Sequence, residues 1–197
     1  ASSPNDLDLL GEQMLAELAL GRRHLCQSAA SLLNGLSRMP SVLLEPAEVP
    51  PIAAPGLVLV GSHVPLTDAQ LIDLLEQPGC CGVEFSLDEP QELAALTDEL
   101  QQLLNSGVTP VLFSSRGERA GYSPARQREL ALQMAQVVMA LEQPLGYVIA
   151  KGGTTSLIFL QQGLQLKQVR LIGQLLPGLS LVQPAVPHPR LGRLPVV

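Results

Sequence analysis

Between residues 56 and 163 short apolar runs alternate with longer mixed segments, and this alternation limits the folds open to the chain more than any other feature. The runs GLVLVG (56–61), CCGVEF (80–85), VTPVLF (108–113) and GYVIA (146–150) have the length and apolar content of strands buried within a sheet. The segments between them carry helical spacing, which predicts helices over 68–76, 90–104, 124–141 and 156–162. Strands separated by helices of this length imply right-handed crossovers between parallel neighbours. The expected fold is therefore an α/β, three-layer domain with a mainly parallel sheet covered by helices on both faces.

The flanks are less regular. From residue 6 to 36 apolar side chains (Leu9, Leu10, Met14, Leu15, Leu18, then Leu25, Ala29, Ala30, Leu32, Leu33) recur at helical spacing, with Gly21 a natural break. SVLLE (41–45) reads as a short strand and the Pro-rich stretch 46–55 as an extended connector. Beyond Gly163, VRLIG (169–173) and LPGLSLV (176–182) predict short strands and turns, and LPVV (194–197) opens what could be one more strand. The 197 residues are enough for one core, read as a single domain with an N-terminal helical segment over 1–40 and an α/β core over 41–197.

Composition removes several classes of function. A net charge of −6 disfavours nucleic acid, whose backbone calls for a basic face, and 3% aromatic residues with no Trp leave few platforms for base stacking. The uncharged stretch 49–66 has the length of a membrane span, but Pro50, Pro51, Pro55, Pro65, Gly56 and Gly61 would break a helix there. Cys26, Cys80 and Cys81 offer neither a disulfide framework nor metal-ligand spacing, which fits a reducing, cytoplasmic compartment. Against 46% hydrophobic residues only 15% are charged, so part of the surface is expected to face another domain. The first residue is Ala and LPVV stops abruptly, which reads as a segment of a longer chain.

In open parallel sheets ligands bind where loops leave the carboxyl ends of the strands, so three loops are candidates. GSHVPLTDAQL (61–71) could bring the Gly61 and Ser62 amides and the Ser62 hydroxyl to a phosphate; alternatively, Thr67 and Gln70 have capping-box spacing and would simply start the helix. AKGGTTS (150–156) is the better cradle. Gly152 and Gly153 permit close approach of a polyanion, Thr154, Thr155 and Ser156 add hydroxyls, and Lys151 adds charge. It matches neither the P-loop nor the dinucleotide fingerprint, and a glycine turn with a Ser/Thr helix cap is the plainer alternative. The loop 114–124 carries Arg116 and Arg119, which could meet an anion or simply be solvated.

His24, His63 and His188 lie far apart without the carboxylate spacing of a metal site or triad, and no catalytic base is assigned. Cys80 and Cys81, adjacent on a strand, face opposite ways. The carboxylates Asp88, Glu89, Glu92, Asp98 and Glu99 read as a solvated helix face.

Four stretches in order, RRHLCQSAASLLNGL (22–36), VGSHVPLTDAQL (60–71), KGGTTS (151–156) and IGQLLPGLSL (172–181), resemble the C-terminal half of the four-carbon acid sugar kinase family. The resemblance spans nearly the whole chain. It implies an ATP-binding domain of an ATP-dependent carbohydrate kinase, which passes phosphate from ATP with Mg2+ to the terminal hydroxyl of a four-carbon sugar acid. By the same resemblance Ser62, Gly152, Gly153, Thr154 and Thr155 would hold the nucleotide, and Gly173, Pro177 and Gly178 would form a structural turn. Thr154 stands where many relatives place an acidic residue, so no metal ligand is carried over. The family's sugar-acid-binding domain would lie upstream in the same parent chain and a further Gly-rich segment downstream; without them the domain is expected to be inactive alone. The alternative within this fold is a non-catalytic nucleotide-binding or regulatory module.

Overall fold

A computed structural model of the chain describes residues 3–29, 31–37, 43–87, 93–116 and 123–197. The chain opens with helix α1 (Pro4–Ala19), started by a capping box in which Ser3 Oγ accepts the Asp6 N–H and the Asp6 carboxylate accepts the Ser3 N–H. A short helix α2 (Ser31–Ser37) packs against it. The two cross at Gly11 and Gly35, where backbone meets backbone so closely that a Cβ on either glycine would overlap the partner helix. Residues 22–29 between them are irregular, so the second predicted helix is shorter than its apolar spacing indicates.

The core follows the predicted alternation. Strand β1 (Leu57–Val60) is buried along its whole length, as a central strand of parallel neighbours should be. It leads to α3 (Pro65–Leu75), β2 (Cys80–Phe85), α4 (Leu93–Asn105), β3 (Thr109–Ser114), α5 (Pro124–Ala140) and β4 (Val148–Lys151). All four strands run parallel in the order β2-β3-β1-β4, with Val58 beside Val111 on one side and Ile149 on the other. Helix α3 covers one face, its Leu71 packing with Val58, Val60 and Val111. Helices α4 and α5 cover the other, where Leu96, Leu100, Leu130, Met134 and Val138 pack on Leu57, Leu59, Phe85 and Leu112. This is the three-layer α/β arrangement that the sequence predicts.

After β4 comes α6 (Gly153–Ile158), which runs on into a π-helical turn (Phe159–Gly163), and then the antiparallel hairpin β5 (Val169–Leu176) and β6 (Leu179–Pro184). Gly178, at φ 82°, makes its turn, and the Gln174 side-chain carbonyl accepts the Gly178 N–H at 3.1 Å. The final residues join the two sheets. Val148 N–H donates to Pro195 O and Val197 N–H to Val148 O on one side, while Val182 and Val196 exchange N–H···O bonds of 2.8 Å on the other. On the far edge Leu43 bridges Gln174 in parallel; of the short strand predicted over 41–45, residues 41 and 42 lie outside the described residues. The connector 46–55 holds a 3-10 turn at Pro46–Glu48 rather than being extended throughout.

Two helix starts differ from the sequence reading, and both matter for the site. Helix α3 begins at Pro65, whose fixed φ suits the first helical position; its N-cap is Val64, so Thr67 does not cap it through a Thr67/Gln70 box. Helix α6 begins at Gly153 rather than Ser156, with Gly152 as N-cap and no side-chain cap, so the Ser/Thr cap is not what this sequence builds. Residues 90–92 of the helix predicted over 90–104, and the acidic Asp88, Glu89 and Glu92 with them, lie outside the described residues. Among the described residues no helix is long and apolar enough to cross a membrane.

Candidate functional site

Strands β1 and β4 are hydrogen-bonded neighbours, and the chain leaves their carboxyl ends toward α3 and α6. Between the two exits lies a cavity of about 350 Å³ lined by Gly61, Ser62, His63 and Val64 from the first, Gly152, Gly153, Thr154 and Thr155 from the second, and Gln127 from α5. All five residues expected to contact a ligand, Ser62, Gly152, Gly153, Thr154 and Thr155, therefore line one space. Ser62 lies 90 or more positions before the other four in sequence, and it is the parallel pairing of β1 with β4 that brings them together.

The second exit is a glycine corner. Gly152 has φ 108°, a conformation that a side chain disfavours, and a Cβ there would sit 3.5 Å from Ser62 Cβ. Ser156 holds the corner from inside: its hydroxyl lies 2.8 Å from Ala150 O and 2.9 Å from Gly152 O, and its N–H makes the first helical bond to Gly152 O. Ser156 is thus occupied with the backbone. The N–H groups of Gly153, Thr154 and Thr155 precede that first bond and belong to the opening turn, where helices leave donors without intrahelical acceptors. Gly153 differs from Gly152. A Cβ added to it meets nothing within 4 Å, so the space beside it is open.

The hydroxyls divide by burial. Thr154 is exposed and free to meet a ligand; Thr155 is only 6% exposed and its Oγ1 lies against Gly61, where a Cβ would come within 2.7 Å of it. Lys151 does not line this cavity. It lies on the α3 side of the sheet, beside a small apolar pocket formed with Val60, Thr67, Gln70 and Ile149.

The first exit is held by polar contacts that the sequence does not announce. Thr67 is buried in the first turn of α3, and its hydroxyl donates to Ser62 Oγ at 3.3 Å. Arg116, at the end of β3, reaches across to donate from Nη1 to the Ser62 carbonyl and pairs with Asp68 Oδ1 at 3.1 Å. His63 Nε2 shares a hydrogen bond of 3.1 Å with Ser114 Oγ. Burial holds the His63 pKa below the ordinary imidazole value, and the Arg116 charge adds to this while Asp68 opposes it. Burial likewise lowers Arg116, with Asp68 and Glu84 pulling the other way. Arg116 is thus enclosed rather than solvated; Arg119 lies outside the described residues.

Among the described residues no carboxylate lines the cavity, and no cluster of three or more His, Cys, Asp or Glu could hold a metal ion. The lining offers backbone N–H groups and neutral hydroxyls. That set suits a polyanion that brings its own counter-cation, and does not suit a cation held by the protein alone.

No curated protein matches the chain. Among solved structures, a domain of unknown function from Bordetella bronchiseptica, crystallised with bound citrate as a domain-swapped dimer, is similar in two crystal forms. The TM-scores are 0.58 and 0.51 at 24% identity; the whole of this chain is covered, but only 47% and 45% of the Bordetella chains. At that identity the likeness is one of fold, and this chain spans about half the length of those structures. The family model described as "Nucleotide-binding C-terminal domain" matches residues 57–197, from the first residue of β1 through the seam at Val196. By that match the chain belongs to the nucleotide-binding C-terminal domain family.

Proposed function

We propose that the cavity between the β1 and β4 exits binds the phosphates of ATP, and that the chain is the nucleotide half of a sugar-acid kinase. One observation carries the reading: the open flank of Gly153, next to a Gly152 corner that only glycine forms without strain, in a cavity lined by first-turn N–H groups and hydroxyls. Gly152, Gly153 and Thr154 would meet the phosphates directly, and Ser62 would face them from across the gap. Thr155 supports the corner from below. Mg2+ fits as a passenger of the triphosphate, since the described residues of the lining supply no carboxylate for it. When bound, it would neutralise charge that develops on the phosphates during transfer.

The acceptor, by the resemblance, is the terminal hydroxyl of a four-carbon acid sugar, held by an N-terminal sugar-acid-binding domain of the same parent chain. Residues 1–197 would then be a single nucleotide-binding domain of a two-domain kinase, with 1–40 as its helical lead-in and 41–197 as its core. Phosphoryl transfer depends on alignment of donor and acceptor, so this half is expected to be inactive alone. A reducing, cytoplasmic setting fits the three free cysteines.

Gly153→Ala separates this reading from a structural turn. The added methyl meets no atom of the protein and Gly153 does not have a positive φ, so the variant should fold with unchanged or slightly raised stability, by up to about 1 kcal/mol. Affinity for MgATP should nevertheless fall about tenfold or more, as read by calorimetric titration. A variant that keeps wild-type affinity would remove the phosphates from this loop.

A further inference from the structure

The nucleotide reading leaves Arg116 unexplained. It sits two residues past the end of β3, the strand beside β1, and is not among the residues that line the cavity. Its side chain is enclosed, 21% exposed, yet among the described residues only Nη1 finds partners; Nε and Nη2 are buried without acceptors there. A guanidinium whose N–H groups are shut away from water and left unpaired is a poor device for stability alone.

What Nη1 does is specific. It ties together two points on the first exit, the Ser62 carbonyl and the Asp68 carboxylate in the first turn of α3. Ser62 is then fixed at two places, its carbonyl by Arg116 and its hydroxyl by Thr67, and it faces the Gly152 corner, where an added Cβ would lie 3.5 Å from Ser62 Cβ. Without Arg116 the peptide after Ser62 is free to turn, and the width of the cavity between Ser62 and Gly152 is no longer set.

We infer that Arg116 is a positioning residue for the phosphate site, which sets Ser62 opposite the Gly152 corner through the Ser62 carbonyl and is itself aimed by Asp68. The inference rests on the nucleotide reading above. Asp68 serves only to steer the guanidinium, so the two residues act as one unit in ligand affinity. A direct charge attraction between Arg116 and phosphate would instead leave Asp68 opposing binding, and its neutralisation would help.

A double-mutant cycle on the whole protein tests this, with MgATP and inorganic tripolyphosphate as probes. Arg116→Ala should weaken both by about tenfold and Asp68→Asn both by about threefold, while the double variant is no worse than Arg116→Ala. Arg116→Lys should restore only part of the loss, since a shorter, differently shaped cation has to span the same two oxygens. Amide exchange over residues 61–68 should rise in Arg116→Ala; should that variant not fold, Arg116→Lys and Asp68→Asn carry the test. Should wild-type protein bind neither probe, the nucleotide reading falls and this inference with it. If wild type binds and the Arg116 variants bind equally well, or if Asp68→Asn binds more tightly, the positioning role alone is overturned.

Discussion

A single imidazole shows how the site's residues constrain one another. His63 is held below its ordinary value of 6.5 by burial and by Arg116, so the unfolded chain binds that proton more tightly than the folded one. Its contribution to stability is therefore complete above the unfolded value and is lost as pH falls through the folded one. The melting temperature should drop as pH falls below about 6.5, and His63→Gln should flatten that drop. His188 is also lowered, by burial and then by Arg190, and should account for a residual slope in the variant. Thermal melts of wild type and variant across this range check the sign; a steeper drop in His63→Gln would contradict it. None of this was legible in the sequence. The partners of Ser62 and His63 at and just past the end of β3, Arg116 and Ser114, are 54 and 51 residues away, and a polar loop with arginines reads as solvated. Gly152 and Gly153, by contrast, were legible as a pair, but their separate jobs were not: one makes the corner by its φ and the other leaves space, a distinction only coordinates supply.

At the scale of elements, period was the reliable guide and caps were not. The four strands and the helices between them follow from apolar runs and helical spacing, because burial on both faces of β1 or on the inner face of α4 demands those patterns. The starts of α3 and α6 were misplaced because neither has the polar side-chain cap that sequence reading looks for; one opens on a proline and the other on a glycine corner. The α1–α2 pair was seen only as apolar spacing, with its means of attachment hidden. That attachment is the contact of Gly11 with Gly35, and it makes a testable point. Gly11→Ala places a methyl into the Gly35 carbonyl, which should cost about 1–3 kcal/mol in the pairing of the two helices and speed amide exchange in α1. MgATP affinity should not change, because neither helix lines the cavity. Loss of affinity in this variant would mean that the lead-in helices reach the site.

Over the whole molecule, the parallel sheet and the hairpin are separate in pairing order but continuous through the three residues around Val196. Val196 is 2% exposed and packs into the same core as Leu57, Met134 and Leu194. Val196→Asp should therefore cost about 3 kcal/mol or more, by burying a carboxylate and by breaking the join, and should release the hairpin first. Amide exchange would show this as faster opening of β5 and β6 than of β1 and β3; uniform opening would argue that the join carries no separate load. The join also has a meaning in time. A ribosome delivers every strand of both sheets before it delivers the residues that sew them together, so a nascent chain can complete its parallel sheet and its hairpin while the two are still strangers. That stitch turns two half-built surfaces into one, and until residues 195–197 are in place the open edges of β4 and β6 are the places where a nascent chain can pair with the wrong neighbour.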